Sequence, residues 1–447
     1  MLLNHMPLHH PRPLPARGRA RVASGYRRGR TESNGVITPD ATWTLQYDSA
    51  GQISQTTDPE GNIRQYVYNR LGNLVRYTDP LNRSTRYEVD ANGNLTKVTD
   101  ALAQVRSYSY DANNNLISAT DARGKAIALA YDAMNRNTQV TNPVGGQYKQ
   151  SYNVQSLPVS ETDEDGRTSN YEFDNFLRLS RQLDALGNAT SHSYQIADGT
   201  STGILGSLVY PTQVVYPTFT QQTKYDSRER PSSQTILNPK ATGTEGLLSS
   251  SVYDLRGQMT STTDANGKTS FYAYNALGQL TSSTDALGNT TQAVYDARGN
   301  LIQLTDAKAQ VTRFEYDKLN RLTKEILPLG QTTLYTYDAA GNLTQKTDPV
   351  GKKSVVSVDA LNRVVDVKQF NSANLLQRTT TFTWDASDNL LTWNDTDAPR
   401  PAGQQLSSAV LTYDDANRKL SEVVSYPNPL GGVFSLSYSY TLSLIHI

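Results

Sequence analysis

A tyrosine followed by aspartate or asparagine recurs along most of this 447-residue chain and constrains its fold more than any other feature. The spacing is roughly 21 residues, and a fixed period of this kind is typical of repeat proteins, in which one supersecondary unit stacks on the next. Such arrays grow without separate hydrophobic cores, so the length does not predict several globular domains. We interpret one tyrosine per regular unit as a structural anchor: Tyr47, Tyr68, Tyr110, Tyr131, Tyr253, Tyr274, Tyr295, Tyr316 and Tyr337.

Each unit reads as two short strands separated by turns. In residues 63–79 the side chains alternate with period two, which places Tyr66 and Tyr68 on one face. Thr, Tyr and Val favour strands. The Asp-x-x-Gly-Asn segments between them favour turns, because Asp and Asn bond to their own backbone and Gly accepts a positive φ. The sequence therefore predicts an all-β fold, a repeat array of antiparallel β-hairpins that forms one long twisted sheet.

The regularity of the period divides the chain into segments. Residues 41–195 and 250–370 form two blocks in register, and 196–249 are irregular repeats with long loops, because the period lengthens and prolines accumulate there. We expect residues 371–441 to be degenerate repeats. Residues 1–40 are rich in arginine and are expected to be a disordered or misassigned head.

Composition excludes several classes of function. The chain is formally neutral and the repeats are mildly acidic, so we expect no nucleic-acid partner, because phosphate contacts need clustered positive charge. There is no cysteine, which excludes thiolate metal sites. No stretch reaches the roughly 20 apolar residues of a membrane span, and the first residues lack the apolar core of a signal peptide. No cofactor is expected.

The repeats resemble a known family. The segments TDPEGNIRQYVYNRLGNLVRYTDP (57–80) and TDALGNTTQAVYDARGNLIQLTDA (284–307) are similar to Rhs, or YD, repeats of bacterial polymorphic toxins, and the resemblance covers roughly residues 41–420. It implies a spiralling sheet that forms part of a shell wall around a C-terminal toxin passenger. It also implies delivery machinery as a partner, a secreted or cell-surface location and no enzymatic activity of the repeats themselves.

Parts of the family pattern are missing from this sequence. Family members carry an Asp-Pro-x-Gly-Leu processing site, whereas here Asp348-Pro349-Val350-Gly351 precedes Lys352 and occupies the repeating turn position. No toxin domain follows the repeats. The last six residues, 442–447, resemble the translation of a sequencing adapter, so we interpret the chain as a truncated fragment.

One segment matches a calcium-binding loop. Residues 161–172 approximate the EF-hand template, with Asp163, Asp165 and Glu172 as candidate ligands. Asp163, however, occupies the repeating turn position and Glu172 falls in a predicted strand, whereas an EF-hand loop lies between helices. We favour a turn over a metal site.

Two further alternatives concern histidine and tyrosine. His192 is the only histidine within the repeats, and we expect it to face solvent rather than to serve a catalytic triad. Flat tyrosine rings could stack on sugars, which makes a cell-surface adhesin that binds surface glycans the alternative function. Pairing of tyrosines across strands is the structural explanation that we favour.

Overall fold

The computed structural model describes residues 23–24, 41–197, 204–206, 209–237, 246–398, 404–427 and 433–439. Within these ranges all regular structure is β-strand and no helix occurs, so none of the described residues forms a helix that could span a bilayer. The prediction of an all-β array of antiparallel hairpins is confirmed. Residues 442–447 and most of 1–40 lie outside the described residues, as do parts of 196–249.

The strands are mostly five or six residues long in the regular repeats. The early strands are β1 Ala23–Ser24, β2 Thr44–Tyr47, β3 Ile53–Thr57, β4 Ile63–Tyr68, β5 Leu74–Thr78, β6 Ser84–Val89, β7 Leu95–Thr99, β8 Val105–Tyr110, β9 Leu116–Thr120, β10 Ala126–Tyr131, β11 Asn137–Thr141, β12 Gln147–Tyr152, β13 Pro158–Thr162, β14 Thr168–Phe173, β15 Leu179–Leu183 and β16 Ala189–Ser193. The middle strands are β17 Gln195–Ala197, β18 Ile204–Gly206, β19 Gln213–Val215, β20 Thr220–Tyr225, β21 Pro231–Leu237 and β22 Gly246–Tyr253. The late strands are β23 Met259–Asp264, β24 Thr269–Tyr274, β25 Leu280–Thr284, β26 Thr290–Tyr295, β27 Leu301–Thr305, β28 Val311–Tyr316, β29 Leu322–Ile326, β30 Thr332–Tyr337, β31 Leu343–Thr347, β32 Lys353–Val358, β33 Val364–Phe370, β34 Leu376–Trp384, β35 Leu390–Asp397, β36 Gln404–Tyr413, β37 Lys419–Pro427 and β38 Val433–Ser439.

These strands form one 36-stranded antiparallel sheet in which each strand pairs with the next along the chain. Strands β17 and β18 pair only with each other, and β16 pairs directly with β19, so the main sheet continues across the irregular segment. Nearest-neighbour pairing of this kind gives every strand local partners, as in other repeat proteins.

Two kinds of turn connect the strands. They lie at opposite strand ends, so each kind forms a row along one side of the ribbon. A Tyr turn follows each anchor position, as at 111–114 after Tyr110, and the row of these turns is called the Tyr rim. A Thr turn follows the second strand of each unit, which usually ends in threonine, as at 79–82 after Thr78. The row of Thr turns is called the Thr rim.

A β-bulge lies beside each of these Tyr turns, with its additional residue on the strand that follows the turn. Tyr110 pairs with Leu116 while Ser109 pairs with Ser118, so Ile117 is the additional residue. The same shift recurs beside the other anchors, for example Tyr131 and Tyr316. Bulges increase the local right-handed twist of a sheet, and their repetition makes the ribbon curve.

The sheet is one layer thick and has little hydrophobic core. Among the described residues the only buried hydrophobic cluster is Ala409, Leu411 and Val424 near the end of the array. The first strand of the regular units alternates exposed and half-buried residues, with the tyrosines on the more buried face. Stability therefore rests on the strand ladder and on contacts between neighbouring repeats, because a single hairpin is marginal in water.

The ribbon winds back upon itself. Early turns contact late turns that lie 254 to 296 residues away in sequence. In every one of these contacts a Thr turn of the early repeats meets a Tyr turn of the late repeats. The Thr rim of one winding of the ribbon, which we call a coil, therefore packs against the Tyr rim of the next coil. We call this line of contact the seam.

Candidate functional site

The anchor tyrosines connect each repeat to the one before it. The hydroxyl of Tyr110 donates to the carbonyl oxygen of Leu95 at 2.9 Å, which lies in the preceding hairpin. Tyr131, Tyr274, Tyr295, Tyr316 and Tyr337 make the same bond, at 2.8 to 3.0 Å, to a residue fifteen positions earlier. The sequence predicts pairing of tyrosine rings across strands, of which the described regular repeats contain one case, Tyr66 with Tyr77 at 5.5 Å between ring centroids. The anchor hydroxyls instead bond to a backbone acceptor in the neighbouring unit.

The other predicted anchors differ from this arrangement. Tyr253 bonds to the carbonyl of Pro231 at 3.0 Å, because the preceding unit is longer. The structure shows no such bond from Tyr47 or Tyr68 within the described residues. At Trp384 an indole N–H replaces the hydroxyl and donates to the carbonyl of Val364 at 2.8 Å.

The turns are held by their first residue. In the Tyr turn at 132–135, Oδ1 of Asp132 accepts the backbone N–H of Met134 and of Arg136 at 2.9 and 3.0 Å. Its Oδ2 accepts the Nε–H of Arg136 at 2.7 Å. These bonds to the charged form hold the pKa of Asp132 below its ordinary value, with the Arg136 side chain as the main cause. The carboxylate at the first position of a turn is therefore engaged in the hydrogen bonds that form the turn.

The fourth turn residue adopts a left-handed conformation. Glycine occupies it in many turns, but asparagine does so in others, such as Asn135 with a φ of 60°. Leu177 takes the same conformation with a φ of 64°. The sequence pattern predicts glycine here and does not identify leucine, because among residues with a side chain asparagine and aspartate tolerate this region most readily.

The residue after the left-handed position clamps successive repeats along the Tyr rim. Arg136 lies 4.8 Å from the ring centroid of Tyr152 in the next unit and donates to the carbonyl of Asn153 at 2.9 Å. Arg321 repeats both contacts with Tyr337 and Asp338. A cation–π contact contributes about 0.5–1 kcal/mol. The sequence does carry a signal for this clamp, since Arg or Asn recurs at this position.

The seam uses the same arginine chemistry between coils. Arg83 in a Thr turn bonds its own Asp79 and reaches across to the late repeats. It donates to the carbonyl of Asp359 at 3.0 Å and to Oδ1 of Asn362 at 2.8 Å, both in one Tyr turn. Its side chain is largely buried. Charge-assisted hydrogen bonds of this kind are about twice as strong as neutral ones.

Further contacts extend the seam in both directions. The carboxylate of Glu60 accepts the backbone N–H of Lys318 at 3.0 Å. Arg106 pairs with Asp388 at 3.2 Å, and Arg418 pairs with Glu164 at 3.1 Å. These polar contacts extend over the Thr turns from 58–61 to 163–166.

The densest part of the seam surrounds one early Thr turn. Arg123 donates to the carbonyl of Asp414 at 2.9 Å, and Lys125 pairs with Asp415 at 2.9 Å. In the reverse direction Asp121 accepts the hydroxyl of Ser387 at 2.8 Å. Donors and acceptors therefore alternate across the contact, which fixes its register.

The calcium candidates do not converge on one point. Asp163 accepts backbone N–H groups of Asp165 and Arg167 through Oδ1, as in the other turns. Arg167 forms ion pairs with both aspartates. Glu172 lies in β14 and pairs with Arg181 at 3.1 Å. Among the described residues no group of three or more His, Asp or Glu side chains is placed to hold a metal ion.

The expectation that His192 faces solvent is wrong for one of its ring nitrogens, and the residue as a whole is half-buried. Its Nε2 is buried, and no described residue forms a hydrogen bond with it. Burial lowers the pKa of His192 because it penalises the charged imidazolium. The sequence around this histidine gives no signal of the burial, because its strand, β16, pairs with β19 only across the irregular segment.

The tyrosine rings offer little free surface for sugars. Arg136 and Arg321 cover the rings of Tyr152 and Tyr337, and the hydroxyls of most anchors are already bonded. Nothing in this arrangement supports the adhesin alternative.

Two family models match the chain. The model of the RHS repeat matches residues 68–105, 89–126 and 110–147, and the model of the Teneurin YD-shell matches residues 159–355. The first three matches advance by one period, which is the period of the anchors. No curated protein matches the chain.

Several solved structures are similar at low identity. A crystal structure of TcdB2-TccC3-TEV is 15% identical, with a TM-score of 0.49, and the match covers 90% of this chain and 27% of that chain. The Photorhabdus luminescens Tc holotoxin pore is 14% identical, with a TM-score of 0.47, and the match covers 88% and 27%. This chain therefore spans about a quarter of the length of those proteins, and TM-scores below 0.5 support no inference about function.

The matched segments contain the turns, bulges and tyrosine bonds described above, from residue 68 to residue 147 and from 159 to 355. The chain is a member of the Rhs/YD-repeat family.

Proposed function

We propose that this chain is a non-enzymatic wall segment of a shell that encloses a toxin passenger, and that the passenger is not contained in the described residues. The observation that carries the proposal is the seam. Each strand of the main sheet pairs with the next, and Arg83, Arg123 and their partners join the turns of successive coils. Such a sheet forms a continuous barrier. Within the described ranges the chain forms this wall and one small two-stranded sheet.

The chemistry of the wall favours containment over catalysis. The aspartates that could act as acids or bases are bound in turns, as Asp132 and Asp163 illustrate. Burial lowers the pKa of His192, the single histidine of the repeats, and no described residue forms a hydrogen bond with its Nε2. We further propose a secreted toxin-related protein as the native context, with delivery machinery as its partner, on the strength of the family.

The test measures whether the wall excludes a protease. An unstructured reporter with one site for a sequence-specific protease is fused after residue 439 of the chain. The wild-type fusion should be cut several-fold more slowly than the free reporter. The variant Arg83→Ala with Arg123→Ala should approach the rate of the free reporter, because it opens the seam.

Arg86→Ala serves as the matched control. Arg86 is exposed on β6, near Arg83 in sequence, and makes no seam contact among the described residues. Its fusion should be cut at the wild-type rate. Equal cleavage of the wild-type fusion and the free reporter would contradict the proposal that the wall encloses a passenger.

A further inference from the structure

Each coil has two rims, and the seam uses only one rim of each. The early repeats contribute their Thr rim and the late repeats contribute their Tyr rim. Two rims then contact no other coil among the described residues: the Tyr rim of the early repeats, at turns 69–72 to 174–177, and the Thr rim of the late repeats, at turns 264–267 to 348–351.

Contact across the seam reduces the solvent exposure of the leucines in a Thr rim. The third residue of a Thr turn is often leucine. Leu81 and Leu102, in the seam, are 39% and 41% exposed. Leu287 and Leu329, on the unpartnered Thr rim, are 80% and 86% exposed. The same residue in the same turn position thus loses about half of its exposure when a Tyr rim packs against it.

The Tyr rim shows the same contrast. At the third turn position, Leu319 and Leu361 are half-buried in the seam. Leu71, Met134 and Phe176 occupy this position on the unpartnered Tyr rim and are exposed. Both free rims therefore display apolar side chains that their equivalents in the seam cover.

Basic side chains on the free Thr rim occupy the same turn position as those that donate across the seam. Arg83 and Lys125 occupy the fifth position of their Thr turns and donate across the seam. On the free Thr rim Lys268 and Lys352 occupy this position and are exposed.

The free Tyr rim offers the matching acceptors. Arg83 binds the carbonyl of the first residue of a Tyr turn and the side chain of Asn362 at the fourth position. Asn114 and Asn135 occupy the fourth position on the free Tyr rim and are likewise left-handed, but their Oδ1 atoms already accept amide groups of the preceding Tyr turn. The acceptor that remains there is the carbonyl of the first turn residue, such as Asp132, which accepts only the N–H of its own turn among the described hydrogen bonds. The two free rims are therefore complementary to each other in hydrogen bonding and apolar surface.

We propose that the free Thr rim of the late repeats binds the free Tyr rim of the early repeats of a second copy of this chain, in the manner of the seam. The contact is heterologous, since two different surfaces meet. It therefore leaves one rim open at each end and builds stacks rather than closed dimers. This inference does not depend on the presence of a passenger.

The experiment is sedimentation velocity of the purified chain over a series of concentrations. The wild-type chain should shift from monomer to dimer and higher multiples as concentration rises. Leu287→Asp with Leu329→Asp should abolish it. Val294→Asp, an exposed valine on the sheet face of β26, should leave it unchanged.

Mixing distinguishes rim stacking from other kinds of association. The Leu287→Asp, Leu329→Asp chain retains its Tyr rim, so in excess it should bind the Thr rim of wild-type chains and cap the stacks at dimers. Circular dichroism confirms that each variant keeps its sheet, and Lys268→Glu with Lys352→Glu provides a second disruption of the same rim. A wild-type chain that stays monomeric at every concentration would overturn the proposal, as would variants that associate as strongly as wild type.

Discussion

Replacing Tyr110 by phenylalanine isolates the contribution of one anchor hydroxyl to the array. The change keeps the ring and removes the donor that bonds the carbonyl of Leu95 at 2.9 Å. Tyr108→Phe is a matched control, because Tyr108 lies on the same face of the same strand, β8, and no described residue accepts a hydrogen bond from its hydroxyl.

The expected cost follows from the bond that is lost. A net intramolecular hydrogen bond contributes about 0.5–1.5 kcal/mol, so Tyr110→Phe should destabilise the local repeat by about 1 kcal/mol. That corresponds to a roughly fivefold increase in the equilibrium constant for local opening. Tyr108→Phe should change it by less than about twofold.

Native-state hydrogen exchange is the appropriate assay. Repeat arrays do not unfold in one cooperative step, so a single melting temperature would average the local effect. The amides of β7, β8 and β9 should exchange about five times faster in Tyr110→Phe, whereas those of β26 and β27 should be unchanged. Equal acceleration by Tyr108→Phe would refute the idea that the hydroxyl bond, rather than the ring, joins the repeats.

Three further predictions concern pH and calcium. Burial raises the pKa of Tyr316, and burial with the Glu161 hydrogen bond raises that of Tyr171 to about 12. The unfolded chain therefore ionises first above about pH 10, and stability should fall as pH rises from there, which denaturant titration with tyrosinate absorbance will measure. Burial lowers the pKa of His192, so the unfolded state takes up the proton first and stability should fall as pH drops below about 6.5. His192→Asn should flatten that dependence in urea unfolding, and an unchanged slope would count against burial of the neutral ring. Calorimetric titration of the chain with calcium should give no binding heat, whereas Asp163→Ala should lower stability by about 1 kcal/mol through lost turn bonds. Calcium binding that disappears in Asp163→Ala would restore the metal interpretation.

The repeat could be predicted from sequence because its determinants are local. The anchor Tyr110, the turn residue Asp132 and the alternation of Tyr66 with exposed neighbours all act within one or two units. Their pattern recurs often enough to be recognised. The acceptor of the anchor hydroxyl was not predicted, because it is a backbone carbonyl beside a bulge and carries no side-chain signal.

The seam could not be predicted for a different reason. Arg83 and Arg136 occupy equivalent positions in different kinds of turn, yet one reaches a distant coil and the other its neighbour. Leu81 and Leu287 likewise share a turn position and differ about twofold in exposure. What distinguishes them is the curvature summed over more than twenty strands. A small change in twist per strand would bring different turns together.

The distance between an early and a late strand tests the winding of the sheet most directly. Cysteine is absent from the chain, so Ile63→Cys and Lys318→Cys allow specific attachment of a donor and an acceptor fluorophore. Both side chains are exposed, and Lys318 contacts the seam through its backbone N–H alone. Twenty-two strand steps separate β4 from β28 in the main sheet, which would place them roughly 105 Å apart in an unwound ribbon at about 4.8 Å per strand. The wound sheet with its seam predicts high energy-transfer efficiency, which should fall when Arg83→Ala and Arg123→Ala are added. Negligible transfer in the otherwise unmodified chain would show that the coils do not meet and would contradict the account.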